Sequence, residues 1–328
     1  MQPEKVFVTR RIPEKGLEMI RKDFNVEIWP GDMPPTADEL KKGAAGAAGI
    51  ICLLTDRIDA EVMDAAGSGL KVISNYAVGY DNIDIAEATR RGIAVGNTPG
   101  VLTEATADHT FALLMAAARR VAEGDRQVRA GGWHTWEPMG LLGADIHGAT
   151  LGLVGFGRIG QAMARRAAGF EMKVLYHDPV FQANGPVPGN AAAASLEVVL
   201  AESDFVSIHV PLTEQTRRLF NQTAFRAMKA GAILINTSRG GVVDQDALYD
   251  ALKGGRLAAA GIDVSEPEPL PEDSPLLTLE NLVITPHIAS ASRSTRERMA
   301  VMAAENLLAG IKGERLPNPV NPEVYRSQ

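Results

Sequence analysis

The sequence predicts an α/β fold in two domains, one of them built on a doubly wound parallel sheet. Three observations predict it. Short apolar runs alternate with stretches of helical period along nearly the whole chain, which is the rhythm of parallel strands joined by helices. At 328 residues the chain exceeds one ordinary core and divides into two domains of about 150 residues each. Residues 151–178 read as strand, glycine turn, helix and strand in immediate succession.

In chain order, candidate strands occupy residues 5–9, 26–29, 49–54, 71–75 and 93–96. Helical patterns lie between them: one opens with Thr36-x-x-Glu39, a capping-box spacing, and another runs from about Ile83 to Arg91. This is a small α/β domain. Two apolar-to-polar junctions follow its strands, Leu53-Leu54-Thr55-Asp56 and Tyr76-Ala77-Val78-Gly79-Tyr80, where open α/β sheets bind ligands. Backbone N–H groups around Val78 and Gly79 suit a small carboxylate, because glycine lets a ligand approach the main chain. An ordinary βα loop is the alternative reading. Cys52, within Ile50-Ile-Cys-Leu-Leu54, reads as a buried filler.

A long Ala-rich helical stretch, Thr103 to about Arg129, follows the turn Asn97-Thr-Pro-Gly100 and reads as a domain connector. The irregular segment Gly131-Gly-Trp133-His-Thr-Trp136-Glu-Pro-Met-Gly140 holds two of the three tryptophans, which favours an interface over simple loop packing. The second domain begins at Leu151, with strands at residues 151–155, 173–178, 204–209, 232–236, 258–263 and 282–286. Six runs with helices between fit the doubly wound nucleotide-binding plan. Residues 182–194, rich in Gly, Pro, Asn and Ala, read as a loop. After His287, Ser294-x-x-Glu297 caps a helix whose Met302, Ala303, Asn306, Leu307 and Ile311 share a face and which ends at Gly313. That helix and the extended tail from Leu316 are expected to return to the first domain and make it discontinuous.

The glycine turn carries chemistry. In Gly155-Phe-Gly157-Arg-Ile-Gly160, Gly155 permits the sharp turn, Gly157 lets the backbone touch a pyrophosphate, and Gly160 lets helix and strand pack closely. The helix start adds free N–H groups and the positive end of its dipole. Ile159, Met163, Ala167 and Phe170 give that helix one apolar face, and Asp178 ends the next strand 18 residues after Gly160. An acid there binds the adenosine ribose hydroxyls, which argues for NAD over NADP.

Composition excludes other classes. A net charge of −7 opposes nonspecific binding to nucleic acid or anionic membranes, and no apolar run is long enough to span a bilayer. With a single cysteine no internal disulfide forms, so a reducing cytoplasm is the simplest home. No histidine, cysteine or carboxylate grouping has metal-ligand spacing.

Reduction of a carbonyl needs a proton donor, a polarising group and a substrate anchor. Three segments past predicted strands supply candidates: Arg239 in Ile235-Asn-Thr-Ser-Arg-Gly-Gly241, Glu268 in Ile262-Asp-Val-Ser-Glu-Pro-Glu268, and His287 in Val283-Ile-Thr-Pro-His287. Taken singly, they read as a surface cation, a solvated acid and a structural histidine. Jointly, at successive strand ends, they can converge on one small substrate. Arg239 would grip the carboxylate and keto oxygen with its planar fork of donors, His287 would deliver the proton, and Glu268 would favour the charged imidazole. His209 reads as shaping the cofactor pocket, while His109, His134, His147 and His177 have no acid–base partner that the sequence reveals.

These motifs together resemble the D-2-hydroxyacid dehydrogenase family, NAD(P)-dependent enzymes acting on D-2-hydroxy acids and 2-keto acids. The resemblance spans nearly the whole chain, through Ala77-Val-Gly-Tyr-Asp-Asn-Ile-Asp84, Asn97-Thr-Pro-Gly-Val101, Ala105-Thr-Ala-Asp108, Gly155-Phe-Gly-Arg-Ile-Gly160, His209-Val-Pro-Leu212, Asn236-Thr-Ser-Arg-Gly240, Asp263-Val-Ser-Glu-Pro-Glu268 and Pro286-His-Ile-Ala289. Within the family the sequence is most similar to glyoxylate and hydroxypyruvate reductases.

The resemblance implies a Rossmann NAD-binding domain over residues 101–287 and a flavodoxin-like substrate domain of residues 1–100 and 288–328. It implies an Arg-Glu-His catalytic set on Arg239, Glu268 and His287. Cofactor contacts are implied at Thr106, Gly155, Gly157, Arg158, Ile159, Gly160, Asp178, His209, Val210, Pro211, Thr216, Thr237, Ser238, Asp263 and Ser290, with Asp263 facing the nicotinamide amide. Substrate contacts are implied at Leu53, Val78, Gly79, Arg239 and His287, with Trp136 reaching in from the partner of a homodimer. Two positions depart from the family: several such reductases carry an NADP-selecting residue where this chain has Asp178, and Ala289 replaces the usual glycine after His-Ile. The expected activity is NADH-dependent reduction of glyoxylate or hydroxypyruvate. The alternatives are another 2-keto acid or related substrate (2-ketogluconate, phosphoglycerate or phosphite) and a non-catalytic NAD-sensing protein.

Overall fold

A computed structural model describes residues 3–181 and 186–326. The chain forms two compact units, Met1–Leu102 with Ala291–Gln328, and Thr103–Ser290. The sequence puts these boundaries at residues 100 and 287; the units divide slightly later, leaving the whole His287–Ser290 turn with the second unit.

The first unit alternates β1 (Lys5–Val8), α1 (Glu14–Arg21), β2 (Asn25–Ile28), α2 (Ala37–Ala44), β3 (Ala47–Cys52), α3 (Ala60–Ala66), β4 (Val72–Asn75), α4 (Ile85–Arg90) and β5 (Ala94–Gly96). All pairings are parallel and the order is β2-β1-β3-β4-β5, the flavodoxin-like arrangement. β3 is buried along its whole length because helices cover both faces of the sheet. The expected capping box is present at α2: Thr36 Oγ1 accepts the Glu39 N–H while Glu39 accepts the Thr36 N–H at 2.9 Å. Cys52 is fully buried, and desolvation raises its thiol pKa well above the ordinary value, as suits a filler.

The C-terminal segment completes this unit. In α11 (Arg293–Ile311), Met299, Ala300, Ala303, Ala304, Leu307 and Ile311 join the core formed by Val6, Val8, Leu17, Ile51 and Val72. The tail then borders β5, where the Val320 N–H bonds Val95 O at 2.7 Å. The helix is capped two residues earlier than its sequence suggested. Ser292, in extended conformation, accepts the Thr295 N–H, while Ser294 lies inside the first turn and Glu297 is paired with Lys15.

The second unit begins with α5 (Thr103–Ala118) and α6 (Val121–Arg129), then β6 (Thr150–Val154), α7 (Arg158–Ala167), β7 (Lys173–His177), β8 (Ala192–Ala193), α8 (Leu196–Glu202) and β9 (Phe205–Ile208). It closes with α9 (Gln222–Ala227), β10 (Ala232–Asn236), α10 (Gln245–Lys253), β11 (Leu257–Ile262) and β12 (Leu282–Ile284). Its parallel sheet runs β12-β11-β10-β9-β6-β7-β8. Counted within the unit, this is the Rossmann order 3-2-1-4-5-6 with one strand added. β8 is a strand of two residues within the stretch expected to be loop; residues 182–185 of that stretch lie outside the described residues.

The single long helix expected from Thr103 is broken. Arg120 adopts φ +52, and the Ala118 carbonyl bonds the Ala144 N–H at 2.8 Å instead of continuing the helical ladder. Gly143 allows this approach, since a Cβ there would lie 2.2 Å from Ala118 O. Beyond the break, Arg120 forks onto Glu123 at 2.8 and 2.6 Å and anchors the first turn of α6.

Candidate active site

Strand order reverses between β6 and β9, where nucleotides bind in this architecture. Gly155 follows β6 at φ +97, and a Cβ there would lie 2.6 Å from the His209 carbonyl carbon just past β9, so only glycine fits. Gly160 sits against the same turn, its missing Cβ 2.4 Å from Gly155 O. Gly157 differs: nothing lies within 4 Å of its Cβ position, and it opens α7 with no side-chain cap. Gly157 and Arg158 are exposed and Ile159 half-buried, so the uncapped start of a ten-residue helix faces open space. That is the cradle a pyrophosphate requires.

Asp178 follows β7 and organises the loop. Oδ2 accepts the Phe156 N–H at 2.7 Å, and Oδ1 accepts those of Val180 and Phe181 at 2.9 and 3.0 Å. Burial by itself would raise its pKa; the three N–H donors outweigh that and lower it. Of about four acceptor positions on a carboxylate, one on Oδ2 is left for a ribose hydroxyl. Glycine cradle, bare helix start and spare acceptor together fit a dinucleotide.

The wall beside it comes from the chain after β9. His209 donates its N–H to Val154 O at 2.7 Å, and its Nε2 lies 2.9 Å from Ser207 Oγ. Desolvation lowers its pKa to about 3; even discounted for the ring's partial exposure, this leaves it neutral near pH 7. Val210 packs on the core beneath, and Thr216 Oγ1 holds the Pro211 carbonyl at 2.6 Å. Thr237, buried past β10, bonds Thr110 of α5 at 2.8 Å, and Thr110 in turn bonds the carbonyl of buried Thr106 at 2.7 Å.

Arg239, Asp263 and His287 follow β10, β11 and β12, three neighbouring strands, at their C-terminal ends. Asn236 builds the turn that carries Arg239: its Oδ1 accepts Ser238 N–H and Oγ–H at 3.0 and 2.9 Å, and its Nδ2 donates to Arg239 O at 2.9 Å. The turn lies directly on the next loop, for a Cβ on Gly240 would be 2.0 Å from Ser265 C. Gln245, at the start of α10, clamps that loop by bonding both the N–H and the carbonyl of Glu266, while Arg217 pairs with the Glu266 carboxylate at 2.8 Å. Glu268 is thereby presented to His287, with Oε1 2.5 Å from Nδ1. His287 has φ +54, which costs about 1–2 kcal/mol for an L-residue. Its N–H is bonded to Asp263 O at 2.9 Å. With Nδ1 engaged by an acceptor, Nε2 is the nitrogen left to meet a substrate.

Asp263 is buried. Oδ1 accepts from Thr285 Oγ1 and the Ile288 N–H at 2.6 and 2.9 Å, and Oδ2 from the Ala289 N–H at 2.8 Å. Ser290 closes the same turn as the last residue of the unit. Sequence reasoning left His109 without a partner; the structure sets its Nε2 3.0 Å from Thr285 Oγ1 and 3.4 Å from Asp263 Oδ1.

In the first unit, Leu53 and the Val78–Gly79 turn are tied together by amides that sequence reasoning missed. Asn82 bonds Leu53 O at 3.0 Å and Asn75 Nδ2 at 3.2 Å; Asn75 bonds Gly79 O at 2.7 Å, and Asn97 bonds Val78 O at 2.7 Å. Asp56 accepts from Thr9 Oγ1 and from the Leu53 N–H at 2.5 and 2.7 Å, locking the β1 and β3 ends where this sheet's order reverses. The sequence carries no spacing signal for these amide bonds, two of which span 19 and 29 positions. Trp136, on the loop after α6, is 79% exposed. Among the described residues no group of three or more His, Cys, Asp or Glu side chains could hold a metal ion, and no helix is long and apolar enough to cross a membrane.

Residues 111–289 match the D-isomer specific 2-hydroxyacid dehydrogenase NAD binding domain. The glyoxylate reductase of Korarchaeum cryptofilum is 55% identical over 327 residues, covering 99% of this chain and 98% of that protein. The glyoxylate reductase of Thermococcus litoralis is 49% identical over 331 residues, covering 100% and 99%. The crystal structure of the TT0316 protein of Thermus thermophilus has 54% identity and a TM-score of 0.90, over 96% of this chain and 99% of that one. With its glycine cradle, the acid after β7 and the Arg, Glu and His at three strand ends, this chain belongs to the D-isomer specific 2-hydroxyacid dehydrogenases.

Proposed function

We propose that this protein reduces a small 2-keto acid, glyoxylate or hydroxypyruvate, to the corresponding D-2-hydroxy acid with NADH. The observation that carries the reading is the 2.5 Å contact between Glu268 Oε1 and His287 Nδ1, on the strand edge that also bears Arg239. NADH would be held by the Gly155–Gly160 turn and Asp178, and supplies the hydride. Arg239 binds the substrate carboxylate and keto oxygen and draws negative charge toward that oxygen. His287 transfers the proton on Nε2 to the oxygen as it becomes an alkoxide, while Glu268 retains the proton on Nδ1 and stabilises the imidazolium beforehand. Asp263, whose side chain is fully buried, acts from behind the site by fixing the backbone of residues 287–289 rather than by touching the nicotinamide. Leu53 and the Val78 and Gly79 backbone form the substrate contacts of the first unit.

The acid after β7 favours NADH over NADPH, because a carboxylate accepts from a ribose diol and repels a 2′-phosphate. The working assembly is a homodimer. Trp133, Trp136, Met139 and Leu142 expose 69%, 79%, 76% and 59% of their surface on one loop, a concentration of apolar area that a second copy would cover and through which Trp136 would approach the partner's substrate. The protein is assigned to the cytoplasm on its one buried, unpaired cysteine. The deciding experiment is a panel of glyoxylate, hydroxypyruvate, 2-ketogluconate and pyruvate, each with NADH and with NADPH. Highest kcat/KM for glyoxylate or hydroxypyruvate with NADH is expected; preference for NADPH overturns the cofactor assignment, and preference for 2-ketogluconate overturns the substrate.

A further inference from the structure

His109 lies inside α5, remote in sequence from every strand end, yet it enters the polar cluster behind His287. Its side chain is 19% exposed, and Nε2 is 3.0 Å from Thr285 Oγ1. Thr285 Oγ1 is 2.6 Å from Asp263 Oδ1, and a carboxylate can only accept, so the hydroxyl proton points to Asp263. The same hydroxyl oxygen therefore accepts from His109, which carries its proton on Nε2. The fully buried side chain of Asp263 in turn bonds the N–H groups of Ile288 and Ala289, and its main-chain carbonyl bonds the His287 N–H. Three successive N–H groups thus end on one residue and hold His287 in its left-handed conformation.

We propose that His109 is a positioning residue for the reaction: by donating its Nε2–H to Thr285 it orients the Thr285–Asp263 pair that fixes the His287 backbone. The proposal rests on the reading of His287 as proton donor. Without the imidazole the Thr285 hydroxyl loses the donor that sets its rotation, and the buried carboxylate loses the only ring dipole directed at it among the described residues. The turn at residues 287–289 then loosens and His287 with it, while Arg239, Leu53 and the Val78–Gly79 turn, which are held by other bonds, are untouched.

The test compares H109L, H109Q, T285V and the double variant H109L/T285V with wild type, measuring kcat and KM for glyoxylate at saturating NADH alongside melting temperature. A lost hydrogen bond in a buried network predicts a fall of about 10-fold in kcat for H109L, with KM changed by about twofold or less. Glutamine presents an N–H at nearly the same reach and brings kcat back to within about threefold of wild type. T285V matches H109L, and the double variant loses no more than either single one, because all three break one chain of bonds. Wild-type kcat in H109L, failure of glutamine to rescue, or losses that multiply in the double variant each overturn the proposal. H287A, run in parallel, keeps the two ideas apart. Near-normal turnover there refutes the proton-donor reading, whereas loss in H287A with none in H109L refutes only the role of His109. If H109L does not fold, T285V and H109Q still decide.

Discussion

Asp178 clamps the glycine turn and, on the proposed reading, also binds the NADH ribose; replacing it by asparagine tests both. The substitution keeps the shape but exchanges one oxygen for an NH2 group. The carboxylate receives two N–H donors on Oδ1 and one on Oδ2, so the remaining amide oxygen is best used facing Val180 and Phe181. The new NH2 then confronts the N–H of Phe156, whose side chain is fully buried. Loss of one charge-assisted bond at such a donor costs about 1.5–3 kcal/mol. For a unit the size of Thr103–Ser290, about 2 kcal/mol lowers the melting temperature by about 4–8 °C. Phe156 belongs to the glycine turn, so KM for NADH should also rise about 10-fold or more, with a much smaller change in KM for the keto acid. The pH dependence has a definite sign. Because the folded-state pKa of Asp178 is lowered, its contribution is complete above the ordinary value near 3.8 and is lost only as pH falls through the folded value. Thermal melts of ligand-free protein should therefore give the same wild-type to D178N gap at pH 8 and pH 5. A gap of under about 1 °C, or one that closes between those pH values, would refute the carboxylate clamp.

Other substitutions test the remaining parts. His287→Ala should lower kcat by about 10²–10⁴ while leaving NADH affinity, read by fluorescence titration, within about threefold; substantial residual turnover would remove His287 from acid catalysis. Glu268→Gln keeps an acceptor at Nδ1 but removes the charge, and about 5- to 30-fold lower kcat at neutral pH is expected, a wild-type value speaking against any role for the carboxylate. Gly157→Ala should melt like wild type, since its Cβ meets nothing, yet bind NADH far more weakly. Gly160→Ala, forced 2.4 Å from Gly155 O, should lose about 1–3 kcal/mol of stability; if the two variants exchange these phenotypes, the glycine roles are misassigned. Trp133→Ser combined with Trp136→Ser should shift the sedimentation coefficient toward a monomer, and an unchanged dimer would place the interface elsewhere.

Features set by contacts near in sequence were legible. The three glycines of the cradle, the capping box at Thr36 and the strand-end placement of Arg239, Glu268 and His287 follow from spacing, because local backbone geometry and periodicity determine them. Features set by distant partners were not. The break after Ala118 depends on Ala144 taking a helix carbonyl, and the cap at Ser292 depends on Glu297 being drawn to Lys15 rather than back toward Ser294. His109 looked like one more residue of an apolar helix, since its partners Thr285 and Asp263 are more than 150 positions away. Asn75, Asn82 and Asn97 were passed over for a different reason: amides are common in turns, and only the folded chain shows that they hold Leu53, Val78 and Gly79.

The interrupted first unit dictates an order of assembly on the ribosome. Thr103–Ser290 is contiguous and can fold as soon as it emerges, whereas β3 and β4 wait for α11, which is translated after that whole unit and covers one face of their sheet. Until then Ile51 and Val72 lie bare, so a nascent chain stalled before residue 291 presents a finished nucleotide fold attached to a half-built, sticky neighbour. Chaperone capture should concentrate on that intermediate, and late nonsense mutations should yield aggregates rather than partially active protein.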